Sequence, residues 1–221
     1  MRFRIGTATV SRIVTTWLTL LHKKFCTLNI WPTPEEVYSV MPQQFRELYP
    51  TTRLIIDCTE FPVEKSSDPD SQRVTWSTYK NRNTFKSLVG ITPSGAISYL
   101  SDLYGGSVSD NEITVSSGVL DRLEEGDFLM ADKGFQIEHH CRAKKIGLNV
   151  PPKLGKDSQL SNRDLVETRR IASLRVHVER AIKRIKNYHI LDVITSNWYH
   201  MADILVFVCA MLSNFHEPLV K

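Results

Sequence analysis

Two short apolar runs that each stop at an aspartate constrain the fold of this 221-residue chain more than any other feature. Residues 54–56 precede Asp57, and residues 128–131 precede Asp132. Apolar runs of this length are typical of buried β-strands. A carboxylate at the end of such a strand is costly to bury unless it is paired with a cation or bound to a metal. The two runs therefore predict strands whose ends present carboxylates for a specific purpose.

Local signals predict helices and further strands around these runs. Helical periodicity covers residues 7–25, and Thr33, Pro34 and Glu36 form a capping box that opens another helix. Residues 65–73 are polar and are expected to form a loop. The other expected segments are a short helix at 42–49, a hairpin of 84–91 and 96–104, helices over 109–124, 162–188 and 201–214, a helix of about a dozen residues before Gly147, a strand at 148–150 and a flexible link at 153–160.

This order of segments predicts the fold class. Strands that alternate with a hairpin and with helices are typical of an α/β protein, here a mixed sheet flanked by helices. The first 50 residues are expected to form a small helical segment, and residues 52–214 a separate domain.

Composition excludes several classes of protein. The net charge of +4 is compatible with a polyanionic partner. The four cysteines form no CxxC pair, so the sequence predicts neither a disulfide framework nor a structural zinc site, and a reducing compartment is expected. The longest apolar run, residues 204–212, is much shorter than the roughly 20 residues that cross a bilayer, so no membrane contact is expected.

Glu179, on the helix expected over 162–188, is a third acid that could join Asp57 and Asp132. Three carboxylates from separate elements suit Mg²⁺ or Mn²⁺, and two such ions about 4 Å apart can activate a nucleophile and stabilise the leaving oxygen of a phosphodiester. Simpler interpretations remain open. Asp57 can cap a turn, Asp132 can cap a helix, and Glu179 can pair with a basic residue one helical turn away.

Basic residues lie in two stretches, one before residue 90 and one around Glu179. They would hold the backbone of a DNA substrate, although a solvated surface is the alternative interpretation. Trp76 and Tyr79 could stack on DNA or anchor a loop. The predicted DNA-binding residues are Lys80, Arg82, Lys86, Arg175, Lys183 and Lys186.

Five blocks of the sequence are similar to the DDE domain of PIF/Harbinger-type transposases, in the order that this family has them. The resemblance runs from about residue 52 to residue 214 and covers most of the chain. The blocks are LIIDCTEF (54–61), NTFKSLVGITPSGAISYLSDLYGGSVSDNEIT (83–114), FLMADKGF (128–135), LNVPPKL (148–154) and LRVHVERAIKRIK (174–186).

The resemblance implies a ribonuclease H-like fold and cut-and-paste transposition of DNA. The three acids of the family fall on Asp57, Asp132 and Glu179, which would be both the catalytic residues and the ligands of two Mg²⁺ or Mn²⁺ ions. Water would attack first and free a 3′-hydroxyl, which would then attack target DNA. The alternative is a host-adopted, catalytically silent derivative that binds DNA or protein.

The resemblance also bears on the first 50 residues and on partners. Residues 6–13 (GTATVSRI) are similar to the second half of a helix-turn-helix, and the chain begins too late to supply the first half, so we expect a remnant of a DNA-binding region and a chain that is a fragment. The expected partners are transposon-end and target DNA, a Myb-like helper protein and further copies of the chain. The expected location is the nucleus, or the cytoplasm before import.

Overall fold

The computed structural model describes residues 5–152 and 161–220, so the flexible link expected over 153–160 lies outside the described residues. The helices are α1 (Thr7–Phe25), α2 (Pro34–Ser39), α3 (Gln43–Leu48), α4 (Pro69–Thr75), α5 (Asp110–Ser116), α6 (Glu138–Ala143), α7 (Asn162–Lys186) and α8 (Ala202–Ser213). The strands are β1 (Thr52–Pro62), β2 (Trp76–Ser77), β3 (Arg82–Ile91), β4 (Ile97–Leu100), β5 (Tyr104–Gly105), β6 (Phe128–Met130) and β7 (Gly147–Asn149). Short 3-10 helices cover Val119–Asp121, His189–Leu191 and Ser196–Met201.

The strands form one mixed sheet around β1. β1 is antiparallel to β3 on one side and parallel to β6 on the other, and β7 extends the parallel half beside β6. The far edge of β3 pairs in turn with β2, β5 and β4 along its length. Strand order in the described residues is thus β4-β3-β1-β6-β7 at the full width of the sheet.

Helices cover both faces of the sheet. On one face, Ile55, Phe61 and Val89 belong to a core that also contains buried residues of α1, α7 and α8. On the other face, Leu54 and Ile56 pack with residues of α5 and α6. Neighbouring residues of β1 therefore enter different cores, as the two-residue period of a strand requires. The predicted α/β fold class is confirmed, and the fold is ribonuclease H-like.

The N-terminal helices share the larger core. Leu18 and Phe25 of α1 are buried against this core, and the ring of Phe25 lies 6.0 Å from that of Phe215, beyond the end of α8. The capping box predicted for Thr33 and Glu36 is present at the start of α2. No helix in residues 5–152 and 161–220 is long and apolar enough to cross a membrane.

Three expectations about helices and loops were wrong. Residues 65–73 were expected to be a loop, but α4 begins at Pro69 because Asp68 caps it by accepting a hydrogen bond from the Ser71 N–H. The helix expected over 109–124 ends at Ser116, because Gly118 follows with a φ of +77° and breaks the helical path. The helix expected before Gly147 covers only Glu138–Ala143.

The strand that contains the first apolar run was predicted to end at Asp57, and this prediction was wrong. β1 continues through Asp57 to Pro62, because residues 57–62 pair with β3 in unbroken antiparallel register. The parallel pairing with β6, in contrast, ends at Ile55 and Met130. Asp57 therefore lies where β1 extends beyond its parallel neighbour, and from this point one edge of β1 faces a cleft.

Candidate active site

A cleft of about 660 Å³ lies beside the extended half of β1, between α7 and the first turn of α5. Its position follows from strand length, since β6 stops while β1 continues, so side chains on both faces of β1 reach the same space. Acidic and basic groups dominate the lining, which consists of Asp57, Cys58, Thr59, Glu60, Tyr79, Lys80, Lys86, Asp110, Asp132, Arg175, Glu179, Ile182 and Lys186. All three acids predicted from the sequence are among these residues.

Asp57 and Asp132 lie on either side of a buried guanidinium. Asp57 shares the face of Ile55 and Phe61 and so points towards α7, and Asp132 follows the end of β6. Arg175 of α7 places its Nη1 atom 3.0 Å from Asp132 Oδ1 and its Nη2 atom 4.0 Å from Asp57 Oδ2. The Lys133 N–H also donates to Asp132 Oδ1, at 2.8 Å.

The environment of Asp57 disfavours its ionised form. Burial raises the pKa of the Asp57 carboxyl to about 6, and the charges of Asp132 and Asp110 act in the same direction. The Arg175 guanidinium and a hydrogen bond from the Cys58 N–H lower the same pKa without cancelling the effect of burial. An added cation close to Asp57 would stabilise the carboxylate further.

Glu179 lies one helical turn after Arg175 and is exposed to solvent in the cleft. Helical spacing places both side chains on the same side of α7. The described residues contain no group of three or more His, Cys, Asp or Glu side chains already gathered to hold a metal ion. The three predicted acids thus share one cleft, but they do not form a compact ligand cluster in this structure. We call Asp57, Asp132, Arg175 and Glu179 the open wall of the cleft.

The opposite side of the cleft carries an ionic network that the sequence analysis did not identify. Glu60 and Lys86 are direct cross-strand partners on β1 and β3, and their charged atoms lie 3.8 Å apart. Lys86 also donates to the Val108 carbonyl at 3.0 Å and lies 3.2 Å from Asp110 Oδ1. The Thr84 hydroxyl donates to Glu60 at 2.8 Å. We call Glu60, Thr84, Lys86 and Asp110 the closed wall.

The closed wall could have been found from the register of the predicted strands. Once β1 and β3 are paired at Asp57 and Val89, Glu60 must lie opposite Lys86. The missing information was that β1 continues past Asp57. Lys86, predicted to bind DNA, has a side chain only 12% exposed and is engaged by the groups of this wall.

The remaining predicted DNA-binding residues divide between the cleft and its surroundings. Lys80 and Lys186 line the cleft and also a neighbouring cavity of about 240 Å³, which Arg82 helps to line. Lys183 is exposed on α7 outside the lining of the cleft. Tyr79 is 80% exposed, and Lys80 Nζ lies 4.4 Å from the centre of its ring. A basic and aromatic surface therefore continues outwards from the acids.

The sequence of the chain was compared with models of protein families, with curated proteins and with solved structures. A family model described as DDE superfamily endonuclease matches residues 56–214. The chain belongs to the DDE superfamily endonuclease family. The match begins immediately before Asp57 and ends just after α8, so it includes all residues of both walls. No curated protein and no solved structure matches the chain.

Family membership supports a nuclease or transposase role and a DNA substrate for this DDE endonuclease domain. DDE nucleases usually use divalent metals. The donor chemistry of the open wall fits such ions, because carboxylate oxygens are the ligands that Mg²⁺ prefers and because the space between Asp57 and Asp132 already accepts a cationic group.

Proposed function

We propose that this DDE endonuclease domain hydrolyses DNA phosphodiesters and transfers the resulting strand, as a transposase of PIF/Harbinger type. One observation carries the proposal: acids from three separate elements, β1, the end of β6 and α7, line one cleft that is flanked by basic side chains. The order and content of the five sequence blocks support the PIF/Harbinger subtype.

In this proposal Asp57, Asp132 and Glu179 are catalytic residues that would hold two Mg²⁺ or Mn²⁺ ions. Bound there, the ions would supply Lewis-acid activation of the attacking hydroxyl and stabilisation of the leaving oxygen. The protein itself holds the substrate: Lys80 and Lys186 would contact backbone phosphates at the mouth of the cleft. Water is the first nucleophile, and the freed 3′-hydroxyl attacks target DNA in the second step.

The closed wall has a supporting role in this scheme. Glu60 is largely buried. Its carboxylate accepts a hydrogen bond from the Thr84 hydroxyl and forms an ion pair with Lys86, so its partners lie within the protein. This network fixes the extended half of β1 against β3 and α5, and thereby fixes the position of Asp57. We accordingly propose Lys86 as a positioning residue and place the DNA-contacting surface on Lys80, Arg82, Lys183 and Lys186.

A plasmid-nicking assay tests the proposed chemistry. We expect the purified protein to nick supercoiled DNA with Mg²⁺ or Mn²⁺ and not with EDTA, and we expect Asp132→Asn to abolish nicking. Asp121→Asn is the matched control, since Asp121 is an exposed acid that pairs with Lys144 away from the cleft. Equal nicking by wild type and Asp132→Asn would refute the assignment of the acids.

The same assay separates the nuclease from the silent derivative. The pairing of Arg175 with Asp57 and Asp132 is the observation that favours the silent form, because it supplies the two acids with a cationic partner without metal. A silent derivative would bind DNA in a salt-dependent way and would show no metal-dependent nicking at any Mn²⁺ concentration.

The proposed DNA surface is tested by the salt dependence of binding. Lys80→Ala together with Lys186→Ala should weaken binding to duplex DNA and should reduce the slope of log K against log salt by about 0.9 for each phosphate that is no longer neutralised. Arg142→Gln is the control, because Arg142 is exposed on α6 and lies outside both basic cavities. An unchanged slope in the double variant would remove these lysines from the DNA surface.

The biological setting is also part of the proposal. Transposon ends and target DNA would be the substrates, a Myb-like helper protein and further copies of the chain would be partners, and the nucleus would be the place of action. The segment over residues 1–50 would contribute to a helix-turn-helix region that binds DNA, with α1 as the second helix of that motif. Crosslinking of the purified chain with and without DNA would reveal a homo-oligomer.

A further inference from the structure

Arg175 occupies an unusual position for a basic residue of a DNA-binding protein. Its side chain is only 9% exposed, whereas Asp57 and Asp132 are 26% and 52% exposed. Its Nε atom is buried without a hydrogen-bond partner in the described part of the chain. The guanidinium is therefore placed to pair with the two acids and is not presented to a passing phosphate.

Arg175 and a divalent ion would compete for the carboxylates of Asp57 and Asp132. Asp132 turns Oδ1 towards Arg175 Nη1 at 3.0 Å, and Asp57 turns Oδ2 towards Nη2. An ion bound between the two acids would lie within a few ångströms of a buried positive charge. Two positive charges this close repel each other in a partly buried site, which favours departure of the guanidinium when the ion enters.

Two features of the structure make such a departure feasible. The contact with Asp57 is long, at 4.0 Å, and Nε has no partner to lose. Arg175 also lies on the same side of α7 as Glu179 and Lys186, which face the cleft where DNA phosphates would lie. A rotation of one side chain, without movement of the helix, would carry the charge away from the two acids and towards Glu179 and Lys186 in the same cleft.

We propose that Arg175 is a built-in competitor of the metal: it holds Asp57 and Asp132 in the metal-free protein and is displaced when the ion binds. This inference rests on the proposed function of the same cleft. DNA would assist the exchange, because a phosphate offers the displaced guanidinium a new partner. By thermodynamic reciprocity, DNA would then raise the affinity for metal as much as metal raises the affinity for DNA.

Metal binding to variants of Arg175 tests the proposal. In calorimetric titrations with Mn²⁺ alone, we expect Arg175→Met and Arg175→Gln to bind Mn²⁺ about tenfold tighter than wild type, equivalent to about 1.4 kcal/mol. Arg175→Lys retains the charge and should bind Mn²⁺ nearly as weakly as wild type. Arg180→Met, which removes an exposed charge from the same helix, is the matched control and should leave the affinity unchanged.

A second measurement uses the wild-type protein and does not depend on whether a variant folds. Phenylglyoxal modifies accessible arginines, and mass spectrometry can locate the product. We expect Mg²⁺ to raise the labelling rate of Arg175 several-fold, because displacement exposes the guanidinium. Labelling of Arg180, exposed throughout, should not change.

The outcomes separate this inference from the proposed function. Tighter Mn²⁺ binding by the two neutral variants, with metal-dependent labelling of Arg175, would support both. Mn²⁺ binding by wild type that is as tight as that of the neutral variants, or an Arg175 that stays protected at saturating Mg²⁺, would overturn the competitor role and leave the nuclease intact. Absence of Mn²⁺ binding in every form of the protein would overturn the nuclease itself, and the competitor role with it.

Discussion

The two walls of the cleft use similar residues in opposite ways. In the closed wall, Lys86 contacts two carboxylates and a carbonyl. Glu60 accepts a hydrogen bond from the Thr84 hydroxyl and forms an ion pair with Lys86. In the open wall, Arg175 lies 3.0 Å from Asp132 and 4.0 Å from Asp57, and its Nε atom has no hydrogen-bond partner within the described residues. The charged groups of Glu60 and Lys86 in the closed wall are thus all paired, whereas the open wall contains a buried nitrogen without a hydrogen-bond partner among the described residues.

The two walls differ in how completely their buried polar groups are paired, and this difference indicates which part of the site is rigid. A buried polar network in which every group is paired makes the elements that it joins rigid, whereas a buried polar atom without a partner has a cost in free energy. The closed wall joins β1, which carries Asp57, to β3 and the start of α5. The open wall contains the three acids of the proposed nuclease. The structure thus combines a network that supports β1 with acids that share one buried guanidinium.

Removal of the cation from the closed wall should have the largest effect on stability. Lys86→Met leaves the buried Glu60 carboxylate without its ion-pair partner, and we expect a loss of about 3–5 kcal/mol in the free energy of unfolding, measured in urea. Lys144→Met is the control, because its ion pair with Asp121 is exposed and should be worth less than about 1 kcal/mol. Similar losses in the two variants would show that the closed wall is not a structural support.

An intermediate effect is expected at Asp57, with a definite dependence on pH. The folded-state pKa of about 6 lies above the ordinary value of 3.8, so the folded protein binds the proton more tightly than the unfolded chain. The resulting stability is fully present below about pH 4 and is lost as the pH rises through 6. The side chain introduced by Asp57→Asn carries no charge at any pH, so the variant avoids the cost of burying an ionised carboxylate. The variant should therefore be about 2 kcal/mol more stable than wild type at pH 7.

Urea unfolding of wild type and Asp57→Asn at pH 4 and at pH 7 measures this effect. The advantage of the variant should shrink towards pH 4, where the wild-type carboxyl is protonated in the folded state. An advantage that is equal at both pH values would mean that ionisation of Asp57 is not its source.

The smallest effect on stability is expected at Glu179. Its side chain is exposed, so Glu179→Gln should change the free energy of unfolding by less than about 0.5 kcal/mol. The same variant should abolish metal-dependent nicking if Glu179 is a catalytic acid. A large loss of stability would instead assign Glu179 to the structural support, and normal nicking would remove it from the catalytic set.

Some elements were predictable because their signals are local. The 25 residues of α7 follow from one apolar stripe and from Ser161, which caps the helix by accepting from the Asp164 N–H. The two apolar runs before Asp57 and Asp132 did become β1 and β6, parallel neighbours in the sheet. The start of α4 was missed although its signal, Asp68 before Pro69, was also local.

Other features depend on contacts between residues distant in sequence. The length of β1 beyond Asp57 is set by its pairing with β3, and the closed wall exists only because that pairing places Glu60 opposite Lys86. Basic character alone predicted that Lys86 and Arg175 bind DNA. The structure shows that Lys86 and Arg175 are buried and form ion pairs with acids of the same chain. A pattern of charges along the sequence cannot reveal such pairing.

The sequence by itself determined the fold class and predicted three site acids that line one cleft, because short apolar runs, helical stripes and family motifs are readable along the chain. Only the tertiary structure decided that Arg175 lies between Asp57 and Asp132 and that Glu179 stands apart from them in the same cleft. The physical reason is that ion pairing depends on distance and burial in space. Both are set by the packing of α7 on the sheet, and neither is encoded in the spacing of charges.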